Sequence, residues 1–141
     1  MSLFNIFKTR EPLVLLVDDD CLMLEMYEAF LEDLKCKSIK TSEGETAQAM
    51  AQIYKPQLIV LDIMMPRITG LQILKSLKLE PSTKKIPVLM ITGEQKVDDL
   101  EAAFKLGAAD YLVKPPDRIS FENKVKTLLS STGYSFPGAK Q

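Results

Sequence analysis

Apolar residues follow two patterns that alternate along the chain. Residues 13–17 and 58–61 are continuous apolar runs, each entered just after a proline, Pro12 or Pro56. Runs this short and unbroken read as strands covered on both faces. Residues 86–91 form a third such run, and Pro87 near its start is tolerable there. Residues 36–41 and 108–113 read as two more strands. Between them the period changes to that of helices. After Asp20 the residues Met23, Met26, Tyr27, Phe30, Leu31 and Leu34 form one apolar stripe, and Glu25, Glu28, Glu32 and Lys35 oppose it. Leu22 and Leu24 fall off that stripe, as partner contacts or as ordinary surface leucines. A second helix opens at Ser42–Glu45 and runs through Ala47, Ala49, Met50 and Ile53, ending before Pro56. A third starts at Gly70 with Leu71, Leu74 and Leu77 inward and stops at Glu80-Pro81. A fourth covers 95–106 and stops at Gly107. A last one is capped by Asp117 or Ser120 and runs through Leu129.

Five strands alternating with five helices predict an α/β fold, a doubly wound five-stranded parallel sheet with right-handed crossovers. At 141 residues this is one domain. It is expected over 12–130, with an N-terminal leader at 1–11 and a flexible tail at 131–141. The leader is too short for a signal peptide and lacks a small-residue cleavage site.

Composition narrows the chemistry. A formal net charge of −1 gives no electrostatic case for nucleic-acid or membrane binding, and no apolar run reaches membrane-spanning length. The expected location is cytoplasmic, with Cys21 and Cys36 as reduced packing thiols. There is no histidine, which excludes Ser-His-Asp and Cys-His catalysis and most zinc sites.

The polar residues that remain share one position. Asp18 and Asp19 end the first strand, Asp62 the third, Thr92 the fourth and Lys114 the fifth. Open α/β sheets bind ligands beyond these carboxyl ends. Clustered carboxylates repel one another and call for a cation. Oxygen ligands without His or Cys suit a hard ion that keeps several waters, which is Mg²⁺. With a lysine and a hydroxyl added, the set suits a phosphoryl group, and an aspartate can itself be the nucleophile that becomes an acyl phosphate.

Four segments carry a resemblance: Val17-Asp18-Asp19, residues 61–66 (Leu-Asp-Ile-Met-Met-Pro) with Gly70 following, Ile91-Thr92-Gly93, and residues 110–115 (Asp-Tyr-Leu-Val-Lys-Pro). In this order and at these strand ends, they make the chain resemble the response-regulator receiver domains of two-component phosphorelay signalling, over about 12–130. The resemblance implies the flavodoxin-like (βα)5 receiver fold. It implies Asp62 as phosphoacceptor, and Mg²⁺ held by Asp18, Asp19, Asp62 and the backbone carbonyl of Met64. Thr92 and Lys114 would stabilise the phosphoryl group, and Tyr111 would be the aromatic switch, against the plainer reading of a packed aromatic. Gly93 would let a donor approach, Glu94 and Met64 would tune phosphate lifetime, and Lys114-Pro115 would be a cis peptide. Implied partners are a histidine kinase or histidine phosphotransfer protein, a downstream protein target, and a phosphorylation-dependent dimer. Such a chain is a switch with only self-phosphorylation and self-dephosphorylation chemistry. The alternatives are a phosphorylation-independent docking module and a small Mg²⁺-dependent phosphohydrolase. The second is disfavoured because Met64 stands where those enzymes carry a second aspartate. Pro116 departs from the family pattern, replacing a bulky apolar residue.

Overall fold

A computed structural model describes residues 11–93 and 97–138. The expected leader, apart from Glu11, and Glu94 lie outside the described residues. The elements alternate as the apolar pattern predicts. They are β1 (Leu13–Val17), α1 (Cys21–Asp33), β2 (Lys37–Thr41), α2 (Ala47–Tyr54), β3 (Leu58–Asp62), α3 (Gly70–Leu79), β4 (Val88–Thr92), α4 (Val97–Lys105), β5 (Asp110–Val113) and α5 (Arg118–Ser131). A single 3-10 turn at Gly44–Thr46 leads into α2.

The strands form one parallel sheet in the order β2-β1-β3-β4-β5. Side chains of a strand alternate between faces, and the core divides accordingly. Val14, Leu16, Leu58, Val60, Leu89 and Ile91 pack with Tyr27 and Leu31 of α1 and Phe121 and Val125 of α5. Leu15, Val17, Ile59, Leu61, Val88 and Met90 pack with Ala47 and Ala51 of α2, Leu74 and Leu77 of α3, and Ala103 of α4. Every residue of β3 and β4 is buried. This explains why those runs carry no polar residue until their last position.

Helix faces depart from the sequence pattern in three places. Leu24 is buried at 4% exposure, whereas Leu22 stays 72% exposed. The inward stripe of α1 is therefore Leu24, Tyr27, Leu31 and Leu34, and Met23, Met26 and Phe30 form its half-buried flank. On α2 the buried positions are Ala47 and Ala51, while Ile53 points outward at 71% exposure. On α3, Ile73 joins Leu74 and Leu77 inside, and Leu71 is only half-buried. Strand bounds are shorter than expected: β4 starts after Pro87, and Ala108 and Ala109 precede β5. Cys36 is buried, but Cys21 is exposed at the start of α1 rather than packed. In the segment expected as a flexible tail, Tyr134 and Phe136 meet edge to face at 4.8 Å and lean on the α1/α5 layer.

Candidate functional site

Strand register builds the site. In the β1–β3 pairing Val17 lies beside Leu61, so Asp18 and Asp62 emerge side by side one residue later. In the β4–β5 pairing Thr92 lies beside Val113, which brings Lys114 to the same edge. Strand order reverses around β1, with β2 on one side and β3 on the other. The acidic pair therefore sits in the crevice where open α/β sheets take ligands.

Carboxylate oxygens of Asp18, Asp19 and Asp62 all lie within 4.8 Å of one another. Asp18 and Asp62 are 1% and 2% exposed, whereas Asp19 faces solvent. Lys114 Nζ donates to Asp18 Oδ1 at 3.1 Å and Asp62 Oδ2 at 3.0 Å, and lies 2.9 Å from Asp18 Oδ2. Asp62 Oδ1 accepts from the Met64 amide at 3.2 Å, and Asp18 Oδ1 accepts from the Asp20 amide at 2.9 Å. Asp20 is a helix cap. Its carboxylate accepts from the Leu22 and Met23 amides at the start of α1, which satisfies donors the helix leaves open.

Among the described residues, one ammonium faces three carboxylates and does not balance them. Burial, followed by the charge of Asp18, pushes the Asp62 carboxyl up to about 6, against the downward pull of Lys114 and the Met64 amide. Burial alone would push the Lys114 ammonium down. Its hydrogen bonds to Asp18 and Asp62, and their charges, carry it up instead. An all-oxygen set with two buried carboxylates and one open to solvent fits a hard cation that retains water ligands.

The surrounding loops are shaped to leave this edge accessible. Gly70 opens α3 directly against the end of β3, and its amide donates to Ile63 O at 2.8 Å. A Cβ there would stand 2.0 Å from Asp62 O, so only glycine fits. Thr69 closes a capping box with Gln72. The peptide between Lys114 and Pro115 is cis, Pro116 is buried, and the Lys114 amide donates to Thr92 O at 2.7 Å.

Of the residues picked out by sequence, Asp18, Asp19, Asp62 and Lys114 converge directly. Thr92 is buried at the neighbouring strand end. Met64 is 54% exposed at the mouth and touches the site through its backbone amide. Gly93 is exposed, with open space where a side chain would begin. Tyr111 is 37% exposed and packs edge-on against Phe104, with ring centroids 6.0 Å apart. One neighbour was hidden in the apolar pattern. Tyr27 reads as core by spacing, yet it buries a hydroxyl, and burial first, then the charge of Asp18, holds that phenol above its ordinary range.

Residues 14–126 match the family model described as the response regulator receiver domain. The chain is 34% identical over 121 residues to the DNA-binding dual master transcriptional regulator RpaA of Synechocystis sp., covering 86% of this chain and 50% of that protein. It is 32% identical to the alkaline phosphatase synthesis transcriptional regulatory protein PhoP of Bacillus subtilis, covering 90% and 52%. The chain thus spans about half the length of these relatives. Among solved structures it resembles the chemotaxis protein CheY4 of Vibrio cholerae, with a TM-score of 0.80, 27% identity, and coverage of 84% and 99%. A response regulator from Chloroflexus aurantiacus gives a TM-score of 0.77, 33% identity, and coverage of 86% and 99%.

Proposed function

The chain belongs to the response regulator receiver domain family, and from that premise we propose that Asp62 is its phosphoacceptor, within a receiver unit at 12–130. The observation that carries this reading is the pair of buried carboxylates, Asp18 and Asp62, bridged by the half-buried Lys114 at the strand ends, with Asp19 open to solvent. The donor would be a phosphohistidine on a histidine kinase or phosphotransfer protein. A carboxylate oxygen of Asp62 attacks the phosphorus, the P–N bond breaks, and the imidazole leaves with a proton. The product is an acyl phosphate, later cleaved at phosphorus by water. Family members are generally not enzymes, and this chain would turn over no separate substrate.

Asp18, Asp19, Asp62 and the Met64 carbonyl would hold Mg²⁺. When bound, the ion neutralises charge that builds on the transferred phosphoryl oxygens. Lys114 would turn one donor toward that group and Thr92 would supply a hydroxyl. Tyr111, 37% exposed beside Phe104, would report the change to a partner by altering its population of orientations. Gly93 and Glu94 flank the site, and the surface so switched would take a downstream protein or a second copy. Among the described residues no helix is long and apolar enough to cross a membrane. RpaA is described as DNA-binding. A net charge of −1 over these 141 residues supports no nucleic-acid contact by this part.

The test is incubation with acetyl phosphate and Mg²⁺, read by intact mass, on the wild type and Asp62→Ala. One labile phosphate on the wild type and none on the variant is expected. A phosphate that survives the substitution, or none on the wild type, defeats the reading.

A further inference from the structure

The formal charge of −1 averages two unlike ends of the sheet. Where the strands finish stand Asp18, Asp19, Asp20 and Asp62, with Glu43 and Glu45 ahead of α2. Where the strands begin, the helices of one layer end, and the balance reverses. Residues 55–57, 80–87 and 106–109 link α2, α3 and α4 to the strands that follow them. They carry Lys55, Lys84 and Lys85 against one acid, Glu80, and Lys105 closes α4 beside them. All four lysines are exposed, and among the described residues none of them is ion-paired. Large apolar side chains share this end. Ile53 is 71% exposed, Tyr54 53% and Leu79 73%. They are the last two residues of α2 and the last of α3, and α3 packs on both α2 and α4. The turn between α3 and β4 is fastened from inside. Thr83 Oγ1 donates to Leu77 O at 2.7 Å, and Lys78 Nζ donates to Lys84 O at 3.1 Å and Ile86 O at 2.7 Å. Open carbonyls at helix ends explain Lys55 and Lys105. They do not explain Lys84 and Lys85, which lie beyond α3, or the aliphatic side chains nearby.

We propose that this end of the domain docks on an anionic lipid surface. Ile53 and Leu79 enter the boundary between headgroups and acyl chains, and Tyr54, with an apolar ring and a polar tip, suits the same depth. Lys55, Lys84, Lys85 and Lys105 meet the lipid phosphates. The choice of lysine matters. Its compact, hydrated charge suits diffuse attraction to many mobile headgroups, whereas the arginine fork suits the fixed phosphates of a nucleic acid. Ile53 and Leu79 point the same way, since exposed aliphatic side chains gain from a bilayer and little from a sugar-phosphate backbone. The two ends also orient the molecule. A negative surface draws the basic end and repels the acidic one. The crevice holding Asp18, Asp19 and Asp62 therefore faces away from the lipid and stays open to solution.

The test is co-sedimentation of the full chain with vesicles of phosphatidylcholine alone or with about 30% phosphatidylglycerol. At about 1 mM of the mixed lipid more than half of the protein is expected to sediment, and little on phosphatidylcholine alone. Raising NaCl to about 500 mM should release it. Each lysine near such a surface is worth about fivefold in partitioning, so the combined Lys55→Gln, Lys84→Gln and Lys85→Gln variant is expected to bind about a hundredfold more weakly. The combined Ile53→Ser and Leu79→Ser variant is expected to lose about tenfold. All five positions are exposed, so both variants should melt near the wild-type Tm, which a thermal scan checks. Absence of sedimentation, equal sedimentation on the two lipids, or variants that bind as the wild type does overturns the proposal. Duplex DNA is the second probe. If it binds the wild type at the same salt and the lysine variant loses that binding, while the vesicles bind neither, the surface is one for nucleic acid and the proposal falls.

Discussion

Asp62 is ionised at neutral pH against the preference of its surroundings. Its folded pKa of about 6 lies above the ordinary 3.8, through burial and then Asp18. Below both values the carboxyl is protonated folded or unfolded, and it contributes nothing. Between them only the folded chain keeps the proton, so stability falls as pH rises. Above about 6 the penalty is complete. In EDTA, Asp62→Asn is therefore expected to be more stable than wild type at pH 7.5, by about 1–3 kcal/mol. The gap should close as pH falls toward 4. Urea denaturation at three pH values measures this, and a gap that stays constant with pH contradicts it. Met64 raises a second point at this scale. Its side chain stands at the mouth of the site and is 54% exposed, but a thioether cannot orient an attacking water. Met64→Asn is expected to shorten the acyl-phosphate half-life severalfold, as followed by loss of the phosphorylated mass. No acceleration would rule out that role for the side chain.

At the scale of elements, the junction of β3 and α3 has the least tolerance. Gly70→Ala puts a Cβ 2.0 Å from Asp62 O and 2.8 Å from Ile63 Cα, both backbone atoms that cannot step aside. Either α3 shifts outward or the end of β3 moves, and Asp62 moves with it. A loss of about 3 kcal/mol is expected, and a fall in Tm of about 10 °C for a chain of this size. Thermal unfolding checks it, and a change under about 1 kcal/mol would show that the junction relaxes freely. Elements were legible in the sequence to the extent that burial was two-sided. β3 and β4 are buried throughout and show as unbroken apolar runs. Helices bury one stripe, and near their ends the stripe is easily drawn one residue off. Leu24 falls off a stripe that runs through Met23 and Met26 because those two flank the buried face and do not form it. Ile53 stands two residues after Ala51, about 200° around α2 from the buried face, and so meets solvent. The converging side chains Asp18, Asp19, Asp62 and Lys114 could be picked out because strand ends share one edge. Tyr27 could not, because spacing gives the direction of a side chain and says nothing about what its hydroxyl meets. Lys78 was equally hidden. Its ammonium reaches Lys84 O at 3.1 Å and Ile86 O at 2.7 Å, fastening the turn after α3, and burial lowers its pKa.

Over the whole molecule, a formal charge of −1 conceals an uneven distribution. Among the described residues, Asp18, Asp19 and Asp62 share one crevice with a single ammonium, that of Lys114. The fold is therefore strained electrostatically at one end of its sheet and packed with apolar side chains elsewhere. A divalent cation that binds only the folded arrangement must stabilise the entire chain, because unfolding separates the carboxylates that follow β1 from the one that ends β3. Mg²⁺ at about a hundred times its dissociation constant is expected to add about 2.7 kcal/mol, raising Tm by several degrees. The gain should grow with the logarithm of concentration above saturation of the site. Asp19→Asn separates this linkage from a general salt effect. Asp19 is exposed, so its substitution leaves the core intact while removing one carboxylate from the cluster. The variant should unfold near the wild-type Tm in EDTA and gain much less from Mg²⁺. Ca²⁺ is a useful control, since a site with few protein ligands completes its shell with water for either ion, and an octahedral preference should favour Mg²⁺. An equal rise for wild type and Asp19→Asn at matched ionic strength would mean that the cluster is relieved by screening alone.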